Sequence, residues 1–93
     1  MLAKNPADLS QLDRAARDRE ILRLGLIAEL DAINLYEQLA ATTEDEMIRK
    51  VLLDIAREEK THVGEFLELL LRRDPEQVKE LAEGKEEVEE LGG

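Results

Sequence analysis

The stretch Arg57-Glu58-Glu59-Lys60-Thr61-His62 holds the only histidine of the 93-residue chain. Glu59 and His62 are three residues apart, so on a helix they share a face. Glu-x-x-His is one of the ligand pairs with which four-helix bundles hold two iron or manganese ions. Four residues are a weak signal. A single imidazole on an apolar face is more often a satisfied core residue than a ligand. The chemistry therefore depends on which face of which helix the pair occupies, and on whether a further ligand faces it.

The elements can be read from periodicity and punctuation. Residues 1–9 read as an N-terminal arm, with Asn5-Pro6 suited to a short first turn. A helical pattern runs from about Ser10 to Ala41, interrupted only by Gly25. Thr43 and Glu46 match a Thr-x-x-Glu capping box, with Glu44, Asp45 and Glu46 in a first turn that suits the helix dipole. A second helix is predicted over 44–73, with Arg72 and Arg73 complementing its C-terminus. Asp74-Pro75 stops it and starts a third, Asp74 as N-cap and Pro75 as first residue. That segment, 75–91, has a thin apolar stripe of Val78, Leu81, Val88 and Leu91, and Gly84 interrupts it. Its glutamates read as a solvated face.

Heptad rows place the candidate ligands. In the first long helix the row is Leu22, Leu26, Glu29, Ile33, Tyr36, Ala40. In the second it is Ile48, Leu52, Ile55, Glu59, His62, Phe66, Leu69. Both mark buried seams. Only Glu29, Glu59 and His62 interrupt them with a carboxylate or imidazole. Glu58 falls on the mostly polar row Val51, Glu58, Glu65, Arg72 and reads as solvated, like Glu65.

A tight turn near residue 43 would set residue 29 opposite residue 57. At about 1.5 Å of rise per residue, Glu59 is then offset by about 3 Å and His62 by about 7–8 Å. Three ligand groups thus meet inside an apolar seam with no Lys or Arg on either row. Buried carboxylates need a proton, a counter-charge or a cation. Carboxylate plus imidazole suits iron, manganese or zinc. A full di-metal bundle takes one Glu from each of two helices and Glu-x-x-His from each of two others. This chain has half of that set, and a second copy around a two-fold axis would supply the rest. Extra apolar rows (Leu24, Ile27 and Leu30 on the first helix; Val63, Leu67, Leu70 and Leu71 on the second) also call for association.

Composition sets the limits. With one Phe, one Tyr and no Trp, the core must be aliphatic, and 39% charged residues with few Gly and Pro fit surface-charged helices. A net charge of −10 argues against nucleic acid and anionic membrane as partners. With no cysteine, disulfides, iron–sulfur clusters, thiolate zinc sites and cysteine nucleophiles are excluded. No apolar run has the length of a signal-peptide core or a membrane span, so a soluble, intracellular chain is expected.

The stretch Ala28-Glu29-Leu30-Asp31-Ala32-Ile33-Asn34-Leu35-Tyr36-Glu37-Gln38, followed by Arg57-Glu58-Glu59-Lys60-Thr61-His62, resembles the encapsulated ferritins, the ferritin-like cargo of encapsulin nanocompartments. The likeness covers roughly residues 20–78, including the Leu-Arg-Arg-Asp end of the second helix. It is strongest to archaeal forms fused to the shell protein. It implies a ferroxidase that oxidises Fe(II) to Fe(III) with dioxygen. Its two irons per dimer would be shared between chains, with Glu29, Glu59 and His62 as ligands, Glu59 bridging, and Tyr36 beside the iron. It further implies a pentamer of dimers, a decameric ring, that feeds mineralisation inside an encapsulin shell, which narrows the location to the cytoplasm, within an encapsulin compartment. Asp31 would mark a metal entry site, although a solvated role suits it better. Departures are Ala28 where many members have Glu, Leu35 where an aromatic precedes the Tyr, and no recognisable shell-targeting peptide. The last is expected either of a domain that continues into a shell protein or of a chain that reaches the shell differently.

The residues therefore predict an all-α hairpin of two long antiparallel helices plus a short third, completed as a ferritin-like four-helix bundle by homodimerisation. Two other readings remain open at this level. One is a rubrerythrin-like di-iron peroxidase. The other is a non-enzymatic oligomerisation module stabilised by metal.

Overall fold

Asp13 starts the first helix: its carboxylate accepts the Ala16 N–H at 2.8 Å, satisfying one of the four orphan amides of a helix N-terminus. The computed structural model describes Leu9 and residues 12–93, and among these it contains three α-helices and no strand. They are α1 (Arg14–Thr42), α2 (Glu46–Leu71) and α3 (Pro75–Glu90). The first helix begins at Arg14 and not at Ser10, because the Asp13 cap lies in extended backbone and ends the helix there. Arg17 ties the preceding chain down, donating to the Leu9 and Leu12 carbonyls, each at 3.2 Å. Apart from Leu9, the expected arm 1–9 lies outside the described residues, as do Ser10 and Gln11.

The turn between α1 and α2 is built differently from the predicted capping box. Thr43 closes α1, its N–H bonding the Leu39 carbonyl, and its hydroxyl accepts the Asp45 N–H at 3.1 Å. Asp45 is the N-cap of α2, accepting the Ile48 N–H at 3.0 Å. The helix therefore starts two residues later than a Thr43 cap would start it, with the carboxylate of Asp45 as the acceptor. Only Glu46 of the three acidic residues lies within the first turn. Glu46 pairs with Arg49. The same guanidinium donates to the Ala40 carbonyl at 3.1 Å and to the Thr43 carbonyl. Arg49 thereby satisfies orphan carbonyls at the C-terminus of α1 and fastens the start of α2 to it.

At the other end, α2 stops at Leu71, two residues short of the predicted end. Arg73 donates to the Leu69 carbonyl at 2.8 Å, as its place near the helix C-terminus suggests. Asp74 caps α3 through the Gln77 N–H at 3.0 Å, and Pro75 follows in the first turn. The other Asp74 oxygen accepts from Arg23 of α1 at 2.9 Å. One carboxylate thus starts α3 and ties that start to the hairpin. Gly84 does not interrupt α3, which runs on to Glu90 but buries no residue.

The buried apolar residues are Leu22, Ile33 and Ala40 on α1 and Ala56 and Leu70 on α2. The α1 set lies on the predicted row. On α2, Leu70 is buried while Leu69, on the predicted row, is 40% exposed. The eleven residues from Glu59 to Leu70 make three turns with only about 20° to spare, whereas Leu69 falls about 80° away. A strict 3.5-residue count drifts off the face of a straight helix. Ile48 is also exposed, close to the turn. Of the off-seam apolar residues, Ile27 and Leu30 stay exposed at 48% and 52%, whereas Leu24, Val63, Leu67 and Leu71 are half-buried and Leu70 is covered within the single chain. No helix among the described residues is long and apolar enough to cross a membrane.

Candidate metal centre

The loop between the long helices is Thr43–Asp45, so its centre is Glu44 and not residue 43. Glu29 lies as far before Glu44 as Glu59 lies after it. The level opposite Glu29 is therefore that of Glu59 and not that of Arg57. The one-residue shift of the turn centre moves the count by two residues, toward the 3.5 Å approach of Glu29 to His62 across the two helices.

Glu29 of α1 and Glu59 and His62 of α2 each offer a ligand atom, and these atoms lie within 4.8 Å of one another. His62 Nδ1 is 3.2 Å from Glu59 Oε2 and 3.5 Å from Glu29 Oε2. The shorter contact is a hydrogen bond. One ring N–H serves one oxygen well, and Glu29 Oε2 is left buried without a hydrogen-bond partner. The two glutamate side chains are 19% exposed and the imidazole 44%.

No basic side chain compensates these carboxylates among the described residues. Lys60 of α2 reaches across to Glu37 of α1 at 3.3 Å. Arg57 turns to Asp54 at 2.8 Å, and its hydrogen bond and charge hold the Asp54 carboxyl below its ordinary range. The cations nearest in sequence are thus engaged outside the seam. A buried acceptor without a donor costs about 1–3 kcal/mol, more if charged. Two carboxylates and an imidazole form a hard, borderline donor set that matches a divalent first-row metal.

The cluster is open on one flank. At about 100° per residue, His62 lies about 60° to one side of Glu59 around α2. Val51 and Leu69 lie on that same side of α2. Because the helices run antiparallel, Ile21, Leu35 and Leu39 of α1 come to the same flank. These five are 40–51% exposed, an apolar strip that continues from the open side of the cluster.

The other sequence-predicted residues stand apart. Tyr36 is half-buried, two turns or about 10 Å along α1 from Glu29, and its hydroxyl makes no hydrogen bond to a described residue. Asp31 lines a shallow cleft of about 160 Å³ with Asn34, Leu35 and Gln38. Glu58 and Glu65 are exposed. Arg49 and Arg23, which hold the two ends of the hairpin, lie off the apolar rows, and periodicity carries no signal for them.

Comparison with known proteins agrees with this geometry. The EncFtn-like family model matches residues 4–87. The chain belongs to the EncFtn-like family. Its all-α, ferritin-like architecture matches the crystal structure of the encapsulated ferritin domain from Pyrococcus furiosus, with a TM-score of 0.83 at 58% identity. That match covers 98% of this EncFtn-like chain and 95% of the other. Over its whole length the chain is 60% identical to a ferritin-like–encapsulin shell fusion protein of Pyrococcus furiosus, of which it spans 28%. It is also 41% identical, over 86% of its length, to the encapsulin nanocompartment cargo protein EncC of Myxococcus xanthus, of which it spans 62%.

Proposed function

We propose that this EncFtn-like chain is a ferroxidase. Its substrate is Fe(II), oxidised to Fe(III) with dioxygen as electron acceptor. The observation that carries the reading is the buried, unpartnered Glu29 Oε2 converging with Glu59 and His62 across two helices. A carboxylate oxygen in that position is costly unless a proton, a donor or a cation meets it, and a cation between the three groups meets all of them at once.

One chain offers two carboxylates and one imidazole, half of the ligand set of a di-iron bundle. The second half comes from a second copy around a two-fold axis, giving two irons per dimer with Glu59 as the bridging carboxylate. The open flank supports this, since His62 faces out beside an exposed apolar strip that a second copy would cover. Tyr36 would lie beside the iron, and Asp31 would mark an entry route. Dimers would assemble further into a decameric ring. The fusion and cargo relatives place encapsulin in the same proposal: oxidised iron would leave the ring and mineralise in an encapsulin lumen, in the cytoplasm.

Rapid mixing of the full chain with Fe(II) and air should give a fast ferric absorbance that is lost in Glu59→Ala and His62→Ala. Variants that match the unmodified chain would remove the site. Peroxide consumption exceeding oxygen consumption would instead make it a peroxidase. Metal-dependent assembly without turnover would make it an oligomerisation module.

A further inference from the structure

Gly25 sits within α1, where glycine costs a helix about 1 kcal/mol against alanine. Its backbone is right-handed, since the only positive φ among the described glycines belongs to Gly92. Conformation therefore does not require a glycine there, but space does. A β-carbon on Gly25 would lie 2.7 Å from Phe66 Cε1, 2.8 Å from Cδ1 and 2.9 Å from Cζ. Gly64 and Gly84, also helical, have nothing within 4 Å of such a carbon. The edge of the Phe66 ring therefore rests on the bare backbone of α1.

This contact is next to the ligands. Gly25 is one turn before Glu29, and Phe66 is one turn after His62. In antiparallel helices both steps run the same way, about 6 Å from the ligand level. Buried Ile33 and Ala56 close the other side. Glu29 Oε2 has no hydrogen bond to hold it, so its distance from His62 is set by the spacing of the two backbones.

We propose that Gly25 and Phe66 are positioning residues for the metal ligands, the ring on the glycine setting the helix spacing at which Glu29 reaches Glu59 and His62. This rests on the reading of those three residues as a metal site. A methyl group at residue 25 must move about 0.8 Å to regain ordinary carbon–carbon contact near 3.5 Å. That exceeds the tolerance of roughly 0.5 Å within which ligand constellations keep their geometry.

The test titrates the full chain with Co(II) alone and reads the visible ligand-field bands. Gly25→Ala should lower Co(II) affinity about 10-fold or more, the usual cost of disturbing groups that orient ligands. Gly25→Ala with Phe66→Val, which has no atom at the Cδ, Cε or Cζ positions that the added methyl would meet, should return affinity to within about twofold, the scatter of independent substitutions. Gly64→Ala should bind as the unmodified chain does. Unchanged affinity in Gly25→Ala, or no recovery in the double variant, overturns the proposal. If Gly25→Ala does not fold, the double variant carries the test alone: it must fold and bind, and failure in either overturns it. Glu59→Ala in the same titration separates the two readings. Unchanged binding there removes the metal site itself, whereas lost binding there with normal Gly25→Ala removes only the positioning role.

Discussion

His62 Nδ1 lies 3.2 Å from Glu59 Oε2, one turn along the same face of α2. Glu58, adjacent in sequence, points to solvent. The two neighbouring glutamates therefore make opposite predictions. Glu59→Ala and His62→Ala should each slow the initial ferric absorbance at least about 100-fold, beyond the range for groups that merely orient ligands. Glu58→Ala should leave the rate within about twofold. A Glu58→Ala loss as large as that of Glu59→Ala would reassign the ligand.

Glu29 should trade stability for binding. Its buried oxygen has no partner in the metal-free chain, and removing such a group relieves an uncompensated desolvation. Glu29→Met, similar in length and apolar, should raise the metal-free melting temperature by several degrees, corresponding to about 1–2 kcal/mol. It should also abolish the further rise that added metal gives the unmodified chain. Differential scanning calorimetry with and without Mn(II) reads both effects. A lower metal-free melting temperature would mean that Glu29 is satisfied in solution.

How much of this was legible in the sequence follows from what periodicity measures. Heptad rows report which residues share a face, and they put Glu29, Glu59 and His62 on facing seams. They do not report how a turn closes. The Thr43–Glu46 pattern matched a capping box, but Asp45 is the better acceptor and takes the role. With the loop spanning 43–45, a count from its centre sets Glu59, not Arg57, opposite Glu29. Leu70 displaced Leu69 from the core because a straight helix does not keep a 3.5-residue period. Asp74-Pro75 is legible because cap and proline act locally. Its Arg23 partner could not be read, being 51 positions away. Gly25 looked like a defect in a helix because its reason is a ring on another helix.

Arg49 should matter to the turn and not to the chemistry. It bonds the Ala40 and Thr43 carbonyls and pairs with Glu46. Arg49→Ala leaves carbonyls at the end of α1 without that donor, at a cost of about 1–3 kcal/mol. Thermal melts should show the loss, while any rate of Fe(II) oxidation by the unmodified chain should be matched per folded chain at saturating Fe(II). Arg49→Lys should recover little, since one ammonium cannot reproduce the guanidinium's several directed donors.

Asp74 separates two roles with two substitutions. Asp74→Asn keeps a side-chain acceptor for the Gln77 N–H but loses the charge opposite Arg23. It should cost no more than about 1 kcal/mol, the range of exposed ion pairs. Asp74→Ala loses the cap as well and should cost about 1 kcal/mol more. Because α3 buries nothing of its own, that loss should appear as faster amide hydrogen exchange in the first turn of α3, with the α1–α2 hairpin unaffected.

The flank that carries the exposed side of His62 decides how the site is completed. Leu35 lies on that flank and Leu30 on the opposite side of α1, at 42% and 52% exposure. A glutamate at either position is tolerated by a single chain, since neither side chain is in the core. If a second copy covers the His62 flank, Leu35→Glu buries an unpaired charge in that interface, which costs several kcal/mol. Leu35→Glu should therefore lower the association state in sedimentation and lose iron binding with all three ligands intact. Leu30→Glu should keep iron binding, whatever it does to larger assemblies. Iron bound one per chain by a monomeric Leu35→Glu variant would mean that a single chain holds its metal alone.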